Sequence, residues 1–202
     1  LGLGPAAAAA VAARRGIARR FFVYPAITYP HKNHAVLLDA LARLEGGEGR
    51  GVDLGFTGRA DRAEAALAAR AAELGLAGRV HRLGRIPRPE LDALISGAVA
   101  LLFPSTYEGF GAPALEAMAL GCPVVASAGG ALAEVVGDAG LLVDPHDPGA
   151  WAEAMGGLLA SPERRRTLAA AGARRAGEFS AEASARALAA AYRRALMEPT
   201  PP

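Results

Sequence analysis

Between Phe21 and Val143 the chain alternates repeatedly between a short apolar run and a longer stretch of helical periodicity. The apolar runs are Phe21–Tyr24, Val52–Thr57, Arg79–Leu83, Val99–Phe103, Pro123–Ala126 and Leu141–Val143. Each is rich in β-branched or bulky apolar residues with Gly or Pro close by, the pattern of a strand buried on both faces. Between them lie the helical stretches Asn33–Leu44, Ala60–Leu74, Pro89–Ile95, Pro113–Leu120 and Ala131–Val136. In the first, Val36, Leu37, Ala40, Leu41 and Leu44 recur at helical spacing before Gly46 and Gly47 break it. Such alternation leaves little choice of architecture. Parallel strands need long crossovers, and these pack back onto the sheet with one hand only. The expected class is α/β, a doubly wound parallel sheet of about six strands. After Asp144 only helical patterns remain, at Pro148–Leu159, Pro162–Gly177 and Ala181–Met197, so extra C-terminal helices follow the sheet. Residues Pro5–Arg20 read as a helix or linker, and the closing EPTPP cannot continue a helix.

Composition narrows the function classes. With 52% hydrophobic and 21% charged residues, the 202-residue chain is neither disordered nor collagen-like. It has a single cysteine, Cys122, which excludes an internal disulfide framework and a cysteine-cluster metal site. Cys122 reads as core packing, and its isolation fits a reducing cytoplasm. No apolar stretch of about 18 residues is free of charge, so no membrane-spanning helix is expected. The opening LGLGPAAAAAVAA lacks the basic flank of a signal peptide. A net charge of +2 gives no reason to expect nucleic acid. The arginines at 14, 15, 19, 20 and 164–166 read as solvated helix faces, with peripheral membrane or partner contact the lesser alternative.

In an open parallel sheet, ligands bind beyond the carboxyl ends of the strands. Two loops there are distinctive. The first, Pro104–Pro113 (PSTYEGFGAP), follows a strand and opens a helix. Gly109 and Gly111 are expected to let the backbone turn sharply and approach a ligand closely. The N–H groups of Phe110, Gly111 and Ala112 then point at the cleft, where a phosphate suits them. Two carboxylates, Glu108 and Glu116, frame this helix start and can accept hydrogen bonds from sugar or ribose hydroxyls. The second loop, Pro25–Asn33 (PAITYPHKN), holds Lys32, the one lysine among 22 basic residues. Its ammonium can reach a phosphate at the same edge. Asn33 reads as the N-cap of the following helix. His31 and His34 read as loop and helix-surface residues rather than metal ligands, since only His81 and His146 remain to complete a site. The backbone of Arg85-Ile86-Pro87, at the end of the third strand, faces either a base edge or nothing more than a turn. Ser105 and Thr106 have no base partner in the sequence and do not read as nucleophiles.

The run PSTYEGFGAPALEAMALGCPVVAS (Pro104–Ser127), continued by GGALAEVVGDAGLLVDPHD (Gly129–Asp147), resembles the signature of glycosyltransferase family 4. HKNHAVLLDAL and VHRLGRIPRPELDALISGAVALLFPS fit the same pattern, and PAITYPHKNH is most similar to the mannosyltransferase-like members. The resemblance runs from about Phe21 to Phe179. It implies a Rossmann-like domain of the GT-B fold and retaining transfer from a GDP- or UDP-linked sugar without an essential metal. By the same resemblance, Glu108 lies by the donor sugar and Lys32 with the Gly109–Ala112 backbone takes the diphosphate. Glu116 then holds the ribose, and Ile86 lies by the base. Glu108 and Lys32 are the expected catalytic residues.

Two departures accompany it. The family pairs its lysine with an arginine five or six residues earlier, where this chain has Ile27 and Ala26. The family also has an N-terminal acceptor domain, and this chain resembles the donor half alone. The division implied is an interdomain linker or helix over 1–20, a nucleotide-sugar-binding domain over 21–178, and a crossover helix and tail over 179–202. A non-catalytic nucleotide-sugar-binding subunit of a two-chain transferase, or a GT-B-type nucleotide-sugar epimerase, stays open beside a transferase.

Overall fold

A computed structural model describes residues 5–44 and 51–197. The break expected at Gly46 and Gly47, and the tail after Met197, lie outside the described residues. Strands β1 (Arg20–Pro25), β2 (Val52–Thr57), β3 (Val80–Gly84), β4 (Leu101–Phe103), β5 (Val124–Ser127) and β6 (Leu141–Val143) form one sheet in the order β3-β2-β1-β4-β5-β6. Every pairing is parallel, with Phe22 opposite Leu54, Val23 opposite Leu101, and Ala126 opposite Leu142. The fold is the α/β, Rossmann-like doubly wound sheet that the alternation predicts. The chain builds outward from β1 to β3, then returns to the far side of β1 with β4. The connections leaving β1 and β4 therefore diverge, and a crevice opens above their carboxyl ends.

The helices are α1 (Pro5–Arg14), α2 (His34–Arg43), α3 (Glu64–Glu73), α4 (Arg88–Gly97), α5 (Ala112–Ala119), α6 (Gly130–Val136), α7 (Pro148–Ala160), α8 (Pro162–Gly177) and α9 (Ala181–Met197). Two starts are written locally. Asp147 accepts from the N–H groups of Gly149 and Ala150 to cap α7, and Ser161 accepts from Arg164 N–H to cap α8, each with Pro at the first helical position. The stretch expected as a helix or linker over Pro5–Arg20 is helical only to Arg14. Gly16 turns the chain at φ +79°, and Ile17 enters the core at 3% exposure before β1.

The core is built on Phe22, Tyr24, Phe56, Phe103 and Trp151, all buried, with the Trp151 indole donating to the Asp144 carbonyl at 2.9 Å. Small residues set the closest helix contacts. A Cβ on Gly97 of α4 would stand 2.7 Å from the Ala8 Cβ of α1, and one on Gly172 of α8 would stand 3.0 Å from Met118 Cγ of α5. In the arginine clusters, residues 14, 19, 20, 164 and 166 are exposed, as expected, while Arg15 and Arg165 are half-buried, and several of the seven also find partners. Arg15 pairs with Glu90 of α4 at 2.5 Å, Arg19 with buried Asp53 at 3.3 Å, and Arg165 donates to the Leu158 carbonyl. Helix α9 buries no residue and exposes Leu188, Tyr192 and Leu196 at four-residue spacing. Among the described residues, no helix is long and apolar enough to cross a membrane.

Candidate functional site

The loops after β1 and β4 meet above the switch point, and buried hydrogen bonds hold them there. The Tyr24 hydroxyl, at the end of β1, donates to the Lys32 carbonyl at 3.0 Å and pairs with Ser105 Oγ at 2.8 Å. Burial pushes the Tyr24 phenol pKa far up, so it stays a neutral donor. Thr106 N–H donates to the His31 carbonyl at 2.9 Å. Asn33 does not cap α2 with its side chain as expected. It sits in the left-handed region at φ 53°, which Asn tolerates better than most residues. From there its Nδ2 donates to the Pro104 carbonyl at 3.2 Å and the Pro145 carbonyl at 2.7 Å. One side chain thereby ties together the loops after β1, β4 and β6.

Across this clamp, Lys32 Nζ meets Glu108 Oε1 at 2.5 Å, with both side chains mostly shielded, at 19% and 13% exposure. Lys32 is placed by a single turn of 3₁₀ helix, Pro30–Lys32, immediately before α2. Glu108 comes from the loop after β4, so residues 76 apart in sequence converge. Glu116, on α5, pairs at 3.1 Å with Arg88 at the start of α4, and Asp92 takes the other side of that guanidinium at 2.7 Å. Glu116, with Asp92 behind it, raises the Arg88 pKa further. Each of the two expected carboxylates thus faces a cation. Sequence reading missed Arg88, whose only local signal is its i,i+4 spacing to Asp92.

The helix start between the carboxylates depends on one glycine. Gly111 precedes α5 at φ +97°, and a Cβ there would lie 2.5 Å from Leu132 Cδ2. Gly109 has neither a positive φ nor a neighbour within 4 Å of a Cβ, so its expected conformational role is not needed. The N–H groups of Gly111 and Ala112 stand at the open amino end of α5, with Pro113 in its first turn. Phe110 is 45% exposed on the rim and meets Phe179 edge-on at 6.0 Å. Ile86, half-buried, packs against the core beyond β3.

His34 departs from its surface reading. It is 3% exposed beneath the β1 loop, with its ring 4.7 Å from Tyr24 and 5.0 Å from Phe56. Burial, reinforced by Arg82, lowers its pKa to about 4. The Ala26 carbonyl opposes that shift without forming a well-aligned hydrogen bond to either ring nitrogen. Beside it, Arg82 pairs with Glu64 through two 2.8 Å hydrogen bonds, and Glu64 accepts from Thr28 at 2.9 Å. Among the described residues, no three His, Cys, Asp or Glu side chains gather as a metal site.

Two cavities differ in kind. One of about 370 Å³ lies beyond β1, β2 and β3, lined by Ile27, Gly58, Arg59 and Arg85. A larger one, about 830 Å³, lies at the opposite edge among α1, α4 and α5 and is walled largely by alanine.

The sequence pattern of the family described as Glycosyl transferases group 1 matches residues 15–175. The MMP alpha-(1->4)-mannosyltransferase of Mycolicibacterium hassiacum is 45% identical over 121 residues, 58% of this chain and 29% of that protein. Sucrose-phosphate synthase from Thermosynechococcus elongatus superposes with a TM-score of 0.79 at 31% identity, over 93% of this chain and 49% of that one. Anabaena HepE in complex with UDP and glucose superposes with a TM-score of 0.78 at 26% identity, over 88% of this chain and 49% of that one. The chain therefore spans less than a third of the mannosyltransferase and about half of each solved structure.

Proposed function

Because the chain belongs to the group 1 glycosyl transferases, we propose that it is the donor-binding half of a retaining hexosyltransferase, passing a hexose from a nucleoside-diphosphate sugar to a glycan or lipid acceptor. The observation that carries this reading is the shielded Lys32–Glu108 pair at the switch point. A diphosphate entering the crevice competes for the Lys32 ammonium. Glu108 is then released to accept hydrogen bonds from sugar hydroxyls. As the glycosidic bond breaks, Lys32 and the N–H groups at the amino end of α5 stabilise the departing diphosphate, a preorganised electrostatic role. Glu116 takes ribose hydroxyls in the same way, and the chain beside Ile86 lies along the base. With this positive charge supplied by the protein, transfer needs no essential metal.

The name of the M. hassiacum relative supports mannose as the hexose, and the ligands of HepE support UDP as an alternative to GDP. The acceptor is placed by a further domain facing the crevice. Positioning of that kind is worth about 7–11 kcal/mol of barrier, so residues 1–202 alone should not turn over donor. The single, buried Cys122 is compatible with a reducing cytoplasm.

Calorimetry with GDP and UDP in chelator tests the reading. Lys32→Ala should weaken diphosphate binding by about 1.5–3 kcal/mol, the scale of a charge-assisted hydrogen bond; because it also leaves the shielded Glu108 carboxylate without its partner, some melting temperature is lost and binding is compared where circular dichroism shows the variant folded. Binding seen only with added magnesium or manganese, or unaltered by Lys32→Ala, would reject it. Epimerised donor formed without acceptor would favour an epimerase instead.

A further inference from the structure

A nucleoside diphosphate brings two or three negative charges into the crevice. The cations at the carboxyl edge of the sheet can be weighed against that demand. Lys32 is held by Glu108, Arg88 by Glu116 and Asp92, and Arg82 by Glu64. A diphosphate that captures Lys32 gains one positive charge only. Two guanidinium groups at this edge are less committed. Arg59, directly after β2, has its side chain 61% exposed and, among the described residues, pairs only with the carboxylate of Asp61, two residues on, at 3.1 Å. Arg85, directly after β3, is exposed and, among the described residues, meets no carboxylate. Both line the cavity of about 370 Å³, with Ile27 and Gly58 as its other walls.

The backbone keeps this cavity against the β1 loop. A Cβ on Gly58, at φ +111°, would lie 2.4 Å from the Ala26 carbonyl oxygen, so only glycine lets the β1 and β2 connections approach this closely. Gly58 N–H donates to the Gly84 carbonyl at 2.8 Å, which fixes the β3 connection alongside. Ile27 supplies no charge. Two arginine side chains thus line one mainly apolar cavity, on the same edge as Lys32 and the amino end of α5. The planar donor fork of arginine suits phosphate oxygens.

We propose that Arg59 and Arg85 bind the donor diphosphate and supply the second positive charge that the loop after β1 lacks. This rests on the donor-site reading. Binding draws Arg59 from Asp61 and leaves Lys32 for the oxygen that departs with the diphosphate.

The test is calorimetry of the 202-residue chain with UDP, GDP and inorganic pyrophosphate at two salt concentrations. Variants are R59Q, R85Q, their combination, and R85K. The double variant should lose about 10-fold or more in affinity for the tighter nucleoside diphosphate and for pyrophosphate alike. Its salt dependence should also be shallower, because fewer charge contacts remain to be screened. R85K should recover part of the loss. Both arginines are exposed, so melting temperatures should match wild type. A double variant within two-fold of wild type for every ligand would overturn the proposal alone, provided Lys32→Ala still weakens binding. A wild-type chain that binds none of the three ligands would overturn the donor-site reading and this proposal with it.

Discussion

The two edges of the sheet offer a ligand opposite things. The amino edge has the larger space, about 830 Å³, but its walls are mostly the alanines of α1 with Ser96, Gly97 and Leu120. The two arginines that reach it are committed elsewhere, Arg19 to Asp53 and Arg20 to the Leu159 carbonyl at 3.2 Å. The carboxyl edge has less enclosed volume, yet it gathers three cations held by carboxylates, two lightly held arginines and an open helix start. Space at the amino edge is left where small side chains allow helices to come close. Chemistry at the carboxyl edge follows from topology, because loops leaving a parallel sheet at its switch point must diverge and can hold groups from distant parts of the chain. Volume alone therefore points away from the edge proposed to bind the donor.

Acid should separate the two edges most strongly. Unfolded, the His34 ring takes a proton near its ordinary pKa of 6.5; folded, it does so only near 4. Between those values the unfolded chain binds more protons, so stability rises with pH across the window and is lost as pH falls through it. The size is about 3 kcal/mol, from about 1.4 kcal/mol for each pKa unit. Urea unfolding at pH 7.5 and 4.5 should show that loss, and His34→Phe should largely remove it. Hydrogen exchange at low pH should open Lys32 and Asn33, next to His34, before Ala98 and Val99 near the other edge. Equal pH dependence in wild type and His34→Phe would mean that the carboxyl edge has no special acid sensitivity.

His34 also marks how far the residues alone could be read. Elements governed by local rules came through with their bounds. Val52–Thr57, Leu141–Val143 and Pro162–Gly177 are the same in sequence and structure, since strand patterning, Ser161-Pro162 and Gly177 each act within a few residues. The meeting of Lys32 and Glu108 could be anticipated in kind, because both follow strands and strand ends share an edge. What escaped were features whose partners lie far along the chain. Asn33 resembles a helix cap until Pro104 and Pro145 are seen to claim its amide. His34 resembles a helix-surface residue until the rings of Tyr24 and Phe56 close over it. Arg88 looks like a member of a local pair with Asp92 until Glu116 arrives from α5. No periodicity or spacing encodes such contacts.

Packing at the amino edge can be disturbed without touching the other. Gly97→Ala places a methyl 2.7 Å from the Ala8 Cβ, too close for both, so α1 must move away from α4. Overpacking of this kind costs about 1–3 kcal/mol, less whatever Ala recovers over Gly in helix propensity. Urea denaturation should show the loss, whereas UDP and GDP affinity should equal wild type. A Gly97→Ala chain that kept its stability but lost nucleotide would join the edges and dissolve the contrast.

The smallest effect tests the carboxyl edge from within. Glu116→Ala removes the proposed acceptor for ribose hydroxyls and frees Arg88 from its α5 partner. The two consequences act oppositely on different parts of a ligand. A nucleoside diphosphate loses a hydrogen bond to a carboxylate that is 37% exposed and shared with Arg88, so the loss should be near 1 kcal/mol, about five-fold, below the usual charge-assisted value. Pyrophosphate has no ribose to lose. It also meets an edge with one negative charge fewer, so its affinity should hold or rise slightly. Titrating both ligands into wild type and Glu116→Ala measures the difference directly. Parallel losses for the two would mean that Glu116 serves only to hold Arg88 and the start of α4. The work of recognising the nucleoside would then fall to the chain beside Ile86.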